Sequence, residues 1–478
     1  MSEKETLGMT EQTSEKKELS AAEKAKKKKA KYTLAKVIVI LCVVLCVVLT
    51  VFELGVTYRT IKAVEVDGTE YSVAEYNWLY TNNVYEVYNN YYRTYGEYAQ
   101  YFFNPNGNLS EQVYNQETGE TWADYMKDYT EQAVVEMTKL YDNGQEAGFE
   151  LSEDIKADCE TEWDAIESTA KAYGYSANDY AELNYGRGVN EKVFKEMYIR
   201  YCYAMEYAQH VSENFEISGE DIDAYYGENK EAFDTVSYKS YFVSGAPSEG
   251  TDEETAMNEA KAKAEAVLSG TEEVEFNENK YALYGNTNAL FADWVFDSAR
   301  AEGDKEVFES ETGYYVVEFV GKNDLHYNTV NVRHILVSPK DESEESRTEA
   351  LAEANGYLDE FKANGSTEEA FAELAKEHSV DGSAVNGGLY ENVFKGQTVA
   401  EFEDWCFDSA RKVGDCEVIK TDYGYHVMYF SGVAEEYYSL IVDQAIRNDR
   451  LNDYLDSIIE GIEVSELFGN KYVGKHYA

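Results

Sequence analysis

Two histidines, His334 and His426, lie near the two ends of the stretch formed by residues 332–431. Each stands in a short run of alternating apolar residues, VRHILVSPK and KTDYGYHVMYFS, and such runs are typical of strands. Between them, a helix-like segment precedes a glycine-rich turn, VDGSAVNGGLY, which carries Asp381. If the two end strands pair side by side, the two imidazoles meet on one face, an arrangement suited to hydrogen-bonding chemistry.

Hydrolysis by a Ser–His–Asp set is one chemistry that these residue types allow. No GxSxG sequence stands near the histidines, and this argues against a hydrolase. The nearby pattern Ser366-x-x-Glu369 is typical of a capping box at the start of a helix. A single histidine in an apolar strand is more often a structural residue, so the case for a functional site rests on two histidines at matched ends.

The order of elements between the histidines is strand, helix, acidic loop, helix and strand, which predicts a small α+β domain. Four ordered motifs mark it: RHILV, then FAELAKEHSVDGSAVNGG, then GQ followed by an EF pair, then TDYGYHV. Together they resemble the parvulin family of peptidyl-prolyl isomerases. The resemblance implies that residues 325–432 form a domain that isomerises X–Pro bonds without a cofactor or a metal.

The resemblance also implies roles for individual residues. His334 and His426 match the paired histidines that hydrogen-bond each other in the family, and Asp381 matches a position held by Cys or Asp. These three are the expected catalytic residues. The expected substrate-binding residues, which form the proline pocket and its walls, are Leu389, Gln397, Thr398, Phe402, Phe407, Thr421 and Tyr423.

Three departures from the family pattern bear on catalytic efficiency and on the preferred residue before proline. Thr398 stands where the family often has Met, and Tyr423 replaces a smaller residue. After Gly387-Gly388 the family usually reads Asp-Leu-Gly, whereas this chain reads Leu-Tyr-Glu. No cluster of Lys and Arg marks the region, which argues against selectivity for phosphorylated substrates.

The chain contains an internal repeat. FADWVFDSARAEGDKEVFESETGYYVVEFVG, from Phe291, parallels FEDWCFDSARKVGDCEVIKTDYGYHVMYFSG, from Phe402, at an offset of 111 residues. The front ends, VSYKSYFVS from Val236 and VNVRHILVS from Val330, align at an offset of 94. The first copy is therefore shorter by 17 residues, which correspond to the helix and the acidic loop of the second copy.

The first copy also lacks both histidines. Ser240 occupies the position of His334, and Tyr315 occupies that of His426, while framework residues such as Trp294 are retained. This pattern predicts that residues 236–324 form a degenerate parvulin-like module without isomerase activity. It equally strengthens the functional interpretation of the two histidines in the second copy.

The net charge of the chain limits its partners. Of 478 residues, 92 are acidic and 42 are basic, which gives a net charge of −50. The first 36 residues hold 10 lysines against 6 glutamates, so the remainder carries −54. So negative a body argues against nucleic acid as a partner. It favours a soluble body, or one that accepts basic clients.

A membrane anchor is predicted near the N-terminus. The run VIVILCVVLCVVLTVF, residues 37–52, carries no charge and follows a basic run, EKAKKKKAKY. We expect a basic tail over 1–33 and a transmembrane signal-anchor helix over 34–56.

The lysine cluster predicts that the tail is cytoplasmic and that the main body lies outside the cytoplasm, in a single-pass protein of the cell membrane. A cleaved signal peptide is the alternative. It fits poorly because Glu53 stands two residues before Gly55, the small residue that the flank offers for cleavage.

Residues 57–235 have a helical texture and are rich in aromatic residues. KAVEVDGTEYS predicts a short strand, a turn at Asp67-Gly68 and the start of a helix. The tyrosines of that helix fall on one face, at positions 85, 88, 92 and 95, and the cluster extends to Tyr98 and Tyr101. Such a face forms either a helix-packing core or a surface that holds non-native chains.

The order of the short strand, the helical block and ISGEDIDAYYGENKEAF resembles the N-terminal region of extracytoplasmic foldases of the SurA and PrsA kind. In that family the helical region cradles unfolded clients. A long amphipathic helix opens the C-terminal segment, residues 433–478, and in the resembling foldases it returns to pack on the helical region. Four cysteines after the anchor form no CxxC, so free thiols are the simplest interpretation.

The sequence therefore predicts an α+β chain: an anchor, a SurA-like helical region, two parvulin-like modules with the first degenerate, and a C-terminal helix. The leading hypothesis is a membrane-anchored foldase that isomerises X–Pro bonds in unfolded or newly translocated polypeptides. The alternative is a non-catalytic holdase or scaffold, which includes a scaffold with one fixed partner. Neither the client nor the oligomeric state follows from the sequence.

Overall fold

The computed structural model describes residues 36–45 and 55–474. The chain divides into two units. The first comprises the residues up to Glu213 and those from Leu451 onward, and the second comprises Asn214–Arg450. The predicted mixed α+β class, with a helical region followed by two α+β modules, is confirmed.

The N-terminal prediction is only partly covered by the structure. Residues 36–45 are helical. The predicted tail over 1–33, and residues 34–35 and 46–54 of the predicted anchor, lie outside the described residues. Within the described ranges, no helix has the length and apolar character needed to cross a membrane.

A small antiparallel sheet begins the first unit. Its strands are β1 (Lys62–Val66) and β2 (Thr69–Ser72), joined by a turn in which Asp67 and Gly68 have φ of 46° and 85°. Two successive residues with positive φ are characteristic of the tight hairpin turn. The sequence predicted only β1, because β2 runs directly into the capped start of the next helix.

The remaining elements of the first unit are mostly long helices. Ser72 caps the second of them through a capping box with Glu75. The helices are α1 (Val56–Thr60), α2 (Val73–Tyr95), α3 (Trp122–Ala147), α4 (Glu153–Tyr173), α5 (Ala177–Tyr185) and α6 (Glu191–Glu213).

The aromatic face of α2 divides into a buried part and an exposed part. In its first half, Trp78 and Tyr80 are buried in the cores of the unit. Toward its end the rings become accessible: Tyr92 is 50% exposed, and beyond the helix Tyr98 and Tyr101 are 71% and 79% exposed. The packing interpretation therefore holds for the first half, and an exposed aromatic surface follows it.

The second unit begins with two short helices, α7 (Gly219–Glu228) and α8 (Lys230–Phe233), and continues into the first module. Four strands of this module form an antiparallel sheet in the order β4-β3-β6-β5. The elements are β3 (Thr235–Ser244), α9 (Glu253–Leu268), β4 (Asn277–Leu283), α10 (Ala292–Phe296), β5 (Lys305–Ser310) and β6 (Gly313–Lys322).

The second module repeats this topology, with its strands in the order β8-β7-β10-β9. It has one helix, α12, without a counterpart in the first module, as the shorter first copy predicts. The elements are β7 (Asn328–Val337), α11 (Glu344–Ala363), α12 (Glu368–His378), β8 (Leu389–Val393), α13 (Ala400–Cys406), β9 (Cys416–Thr421) and β10 (Gly424–Glu436).

The last helix, α14 (Tyr437–Ile459), belongs partly to each unit. In the second unit, Tyr438, Val442 and Ile446 pack with Phe233 and Leu325. From Leu451 onward its apolar residues pack against the core of the first unit. The strand β11 (Val464–Glu466) follows and pairs antiparallel with β1.

The sheet of the second module is covered on both faces. On one face Ile335 and Val427 pack with residues of α11 and α12. On the other face Val332 and Met428 pack with Phe402 of α13. Because side chains alternate along a strand, His334 and His426 also point to the face of α13.

Gly388 is a position where the second module demands glycine. Its φ is +71°, and an added Cβ would lie 2.2 Å from the carbonyl oxygen of His334. Gly414 has a similar φ of +89°, but an added Cβ would meet no atom within 4 Å. We therefore expect Gly388→Ala to destabilise the module by roughly 1–3 kcal/mol more than Gly414→Ala, since only the former adds a steric overlap.

Amide hydrogen exchange of β7 and β8 measures this difference, because it reports local opening of these strands. Both variants share the cost of a non-glycine residue at positive φ, so Gly414→Ala is the matched control. Equal protection of β7 in the two variants would contradict the expectation.

Candidate functional site

The pairing of β7 with β10 brings the two histidines together. His334 lies opposite Met428, and His426 lies opposite Leu336, so the histidines are diagonal neighbours on one face. Their Nδ1 atoms are 3.1 Å apart, and both side chains are buried. The predicted meeting of the imidazoles is thus present in the structure.

A chain of hydrogen bonds runs through the pair. His334 Nε2 lies 3.2 Å from Asp381 Oδ1, and Thr421 Oγ1 lies 2.9 Å from His426 Nε2. An ionised carboxylate only accepts, so His334 Nε2 carries the proton and its Nδ1 is an acceptor. His426 then donates through Nδ1 and accepts from the Thr421 hydroxyl at Nε2. Both rings are neutral in this chain, and every nitrogen has a partner.

Asp381 is held in place by its own loop. Its Oδ1 accepts from the backbone N–H of Ser383 at 2.8 Å and from the Ser383 hydroxyl at 2.5 Å. The hydroxyl of Tyr390 donates to the same carboxylate at 3.4 Å. The loop itself is fixed by Arg333, which donates to the carbonyls of Asn386 and Gly387, both at 3.0 Å.

Ser383 and Tyr390 are site residues that the sequence reasoning missed. The sequence does carry a signal for Ser383. When Ser follows Asp by two residues, the chain can turn so that the Asp carboxylate accepts a hydrogen bond from the backbone N–H of the Ser. In the sequence, Tyr390 stands out only as a departure from the family pattern. Its ring centroid lies 4.9 Å from that of His334, so it forms one wall of the site.

Phe402 covers the two imidazoles. Its ring meets those of His334 and His426 edge-on, at centroid distances of 5.4 and 5.6 Å. The side chain is only 3% exposed, and Tyr390 lies beside it at 6.1 Å. The structure therefore brings His334, Asp381, Phe402, Thr421 and His426 into one cluster.

The other expected pocket residues are not members of this cluster, although Phe407 packs against the apolar residues around Phe402. Gln397 is exposed. Its side-chain oxygen accepts a hydrogen bond from the backbone N–H of Phe394 at 3.0 Å, and this bond closes the turn formed by residues 394–397. Phe407 packs on Tyr327. Tyr423 is 65% exposed. Leu389 lines a cavity of about 550 Å³ together with Lys376, Val385, Asn386 and Glu391.

Thr398 has an unpaired hydroxyl. Its Oγ1 is buried, and among the residues that the structure describes it has no hydrogen-bond partner. A buried hydroxyl without a partner costs free energy, so such a group is available to a ligand that can pair with it.

The first module fills the equivalent space differently. Ser240 accepts a hydrogen bond from Asn279 at 3.3 Å. The ring of Tyr315 packs against Phe242 and Phe291, at centroid distances of 4.7 and 5.6 Å. Aromatic packing thus replaces the hydrogen-bonded pair of histidines.

Comparison with known proteins identifies the second module. Residues 319–433 match the sequence model of the PPIC-type PPIASE domain. The second module is a parvulin-type domain. The parvulin domain lies in a chain that is similar to the SurA and PrsA proteins.

Two curated relatives illustrate this similarity. Chaperone SurA of Chromohalobacter salexigens is 25% identical over 291 residues, which cover 55% of this chain and 64% of the relative. Foldase protein PrsA of Caldanaerobacter subterraneus subsp. tengcongensis is 27% identical over 202 residues, which cover 41% and 60%. The chain thus spans less than two thirds of each of these relatives. The crystal structure of PrsA from Bacillus subtilis is 14% identical with a TM-score of 0.30, and covers 74% of this chain and 93% of that one.

The electrostatics of the parvulin domain keep the imidazoles neutral and the carboxylate charged. Burial lowers the pKa of His334, against the opposing effect of Asp381. Burial and the neighbouring His334 lower the pKa of His426 to about 4. Burial by itself raises the pKa of Asp381, but hydrogen bonds from Ser383 and the His334 ring outweigh it, so that pKa is lowered.

The lowered pKa of His426 predicts a loss of stability in mild acid. An unfolded histidine titrates near pH 6.5, whereas folded His426 titrates at about pH 4. Between these values the unfolded chain binds more protons, so the parvulin domain loses stability as the pH falls from about 6.5 to about 4. Above about pH 6.5 this contribution is fully present and constant.

We expect His426→Asn to reduce this pH dependence, because Asn keeps a donor toward His334 but does not titrate. The measurement is amide exchange of β10 at several pH values, corrected for intrinsic exchange. Part of the slope remains, because His334 is shifted in the same direction. An identical slope in the variant and the natural protein would refute the assignment to His426.

Proposed function

We propose that this protein is an extracytoplasmic foldase whose parvulin domain catalyses cis/trans isomerisation of X–Pro bonds. One observation carries the proposal. The buried pair of His334 and His426, ending at the charged Asp381 and covered by Phe402, is built in the second module, while the first module keeps the fold and has neither histidine.

The reaction needs no covalent step. The barrier to rotation about a peptide bond is about 18–20 kcal/mol, because resonance holds the amide planar. In the twisted amide the nitrogen regains its lone pair and the carbonyl oxygen loses negative charge. A catalyst must bind this twisted state better than the planar one.

The site residues suit this task. Tyr390, which lies beside the buried Phe402, supplies apolar surface for the proline ring. The carboxylate of Asp381, held by Ser383, is accessible at 21% of its side chain. Placed near the substrate carbonyl, this charge opposes the negative oxygen of the planar amide and so favours the twisted state. The neutral imidazoles form the floor of the site, and His334 fixes the orientation of Asp381.

The setting proposed for this activity is the outer face of a cell membrane. The basic tail and the apolar run at residues 37–52 support a single-pass anchor with a cytoplasmic N-terminus. The similarity to SurA and PrsA proteins supports unfolded or newly translocated polypeptides as clients. The negative body argues against nucleic acid as a partner.

A non-catalytic holdase is the second candidate, and two observations favour it. Phe402, the expected proline-binding aromatic, is almost fully covered, and Tyr390 stands beside it. In the first unit, Tyr92, Tyr98 and Tyr101 present accessible aromatic surface. Such surface can hold non-native chains without any isomerase activity.

Proline isomerisation of a model peptide by the full chain tests the catalytic proposal. We expect Asp381→Ala to lower kcat/KM by about tenfold or more, because it removes the charge placed at the reacting amide. Ser240→Ala, at the position of His334 in the first module, is the matched control and leaves the rate unchanged. No acceleration by the natural protein would reject the isomerase and leave the holdase.

Suppression of aggregation of an unfolded client tests the holding surface. We expect Tyr98→Ser combined with Tyr101→Ser to weaken suppression about twofold or more, because two accessible rings are lost from one surface. Tyr173→Ser removes a ring that is 72% exposed elsewhere in the first unit, and serves as the control. The same loss in all variants would point to non-specific contact, whereas no loss would remove this surface from client binding.

A further inference from the structure

The two modules share a β-bulge at equivalent positions. In the first, Val236 pairs with Ala282 and Tyr238 pairs with Asn279, so β4 contains one extra residue. In the second, Val330 and Val332 pair with Val393 and Tyr390, so β8 contains one extra residue in the same place. Bulges of this kind bend a strand and redirect a side chain.

Each bulge holds one non-glycine residue in the left-handed region. The residue is Tyr281 in the first module and Asn392 in the second, both with φ of 51°. They are 111 residues apart, the offset of the repeat. Asn tolerates this conformation, whereas a bulky residue there carries strain of the order of 1 kcal/mol or more. Since Asn is sufficient for the bulge of the second module, the bulge alone does not account for the tyrosine in the first.

Tyr281 contacts the second module. Its ring lies so close to Gly396 that a Cβ there would be 2.6 Å from the ring Cδ2 atom. Its hydroxyl donates to Oε1 of Glu403 at 3.3 Å. The other oxygen of Glu403 accepts a hydrogen bond from the backbone N–H of Gly396. Tyr281, Gly396 and Glu403 therefore contact one another, and these contacts join the two modules.

The segment held by this contact belongs to the rim of the parvulin site. Gly396 directly precedes Gln397 and Thr398, and Glu403 directly follows Phe402 in α13. The segment is also held by Tyr327, whose hydroxyl accepts from the N–H of Lys395 at 3.1 Å. Tyr281 is a contact that the first module contributes to the same segment.

We propose that Tyr281 is a positioning residue for the parvulin domain, through which the first module holds residues 394–398 and the start of α13 in place. The proposal rests on the isomerase function proposed above and gives the module without histidines a role in it. Tyr281 acts through Gly396 and Glu403, and does not itself touch the substrate.

The chemistry of the contact is stable over the physiological range. Burial and the neighbouring Glu403 raise the pKa of Tyr281 to about 12. The phenol therefore remains protonated and keeps donating to Glu403. A neutral donor facing a carboxylate forms a stronger hydrogen bond than two neutral groups do.

Tyr281→Asn in the full chain is the decisive variant, because Asn is the residue that the second module uses at the same bulge. The first module therefore keeps its fold while the contact is lost. We expect amide exchange of residues 394–399 to accelerate about tenfold. We also expect KM for an X–Pro peptide to rise about threefold or more, with a smaller change in kcat, because the rim is loosened.

Four further variants sharpen the test. Tyr281→Phe keeps the ring and loses only the hydroxyl, so its effect is smaller and in the same direction. Glu403→Gln can still accept from Gly396 and donate to Tyr281, so its effect is expected to be smaller than that of Glu403→Ala. Tyr284→Phe removes a hydroxyl that donates to Asp293 at 2.6 Å inside the first module, and is the matched control.

Exchange and kinetics separate the possible failures. Unchanged exchange of residues 394–399 in Tyr281→Asn overturns the proposal, whatever the activity. Faster exchange with unchanged KM and kcat shows a structural contact only, and overturns the positioning role. If the natural protein does not isomerise prolines, the proposed function fails, and the same exchange result still decides whether Tyr281 holds the segment.

Discussion

The register between β7 and β10 is the constraint on which the candidate site depends. Side chains alternate between the faces of a sheet, so a slip of one residue would move an imidazole to the face of α11 and α12. In the observed register each histidine finds the other and one further partner, Asp381 or Thr421. A buried ring nitrogen without a partner would cost free energy of roughly 1–3 kcal/mol. The apolar residues on both faces and the satisfied histidines therefore select the same register.

Much of the fold and of the candidate site could be predicted from the sequence, because the features that determine them are periodic or repeated. Alternating runs placed His334 and His426 on strands, and the internal repeat showed which copy had kept them. The class of the fold and the difference in helix content between the modules followed from the same comparison. These inferences depend on short-range patterns, for which sequence and structure are closely linked.

What could not be predicted depends on contacts between distant or irregular segments. The placement of Tyr390 beside the buried Phe402 depends on the position of β8 relative to α13, and no periodicity in the sequence reports that position. Gln397 accepts a hydrogen bond within its own turn, because a side-chain amide can satisfy a nearby backbone group as well as a ligand, and its role in the pocket stays a prediction. The bulge at Tyr281 could not be predicted either, since tyrosine is not a residue type that indicates a positive φ.

The pairing of β1 with β11 has a consequence for the order of folding. Val64 lies opposite Glu466, so the small sheet of the first unit joins residues about 400 positions apart. The two modules between them close largely through their own hydrogen bonds. A chain emerging from its N-terminus can therefore complete both modules while the sheet of the helical unit still lacks a strand. The first unit is then the last part to reach its final stability, although most of its residues are synthesised before those of the two modules.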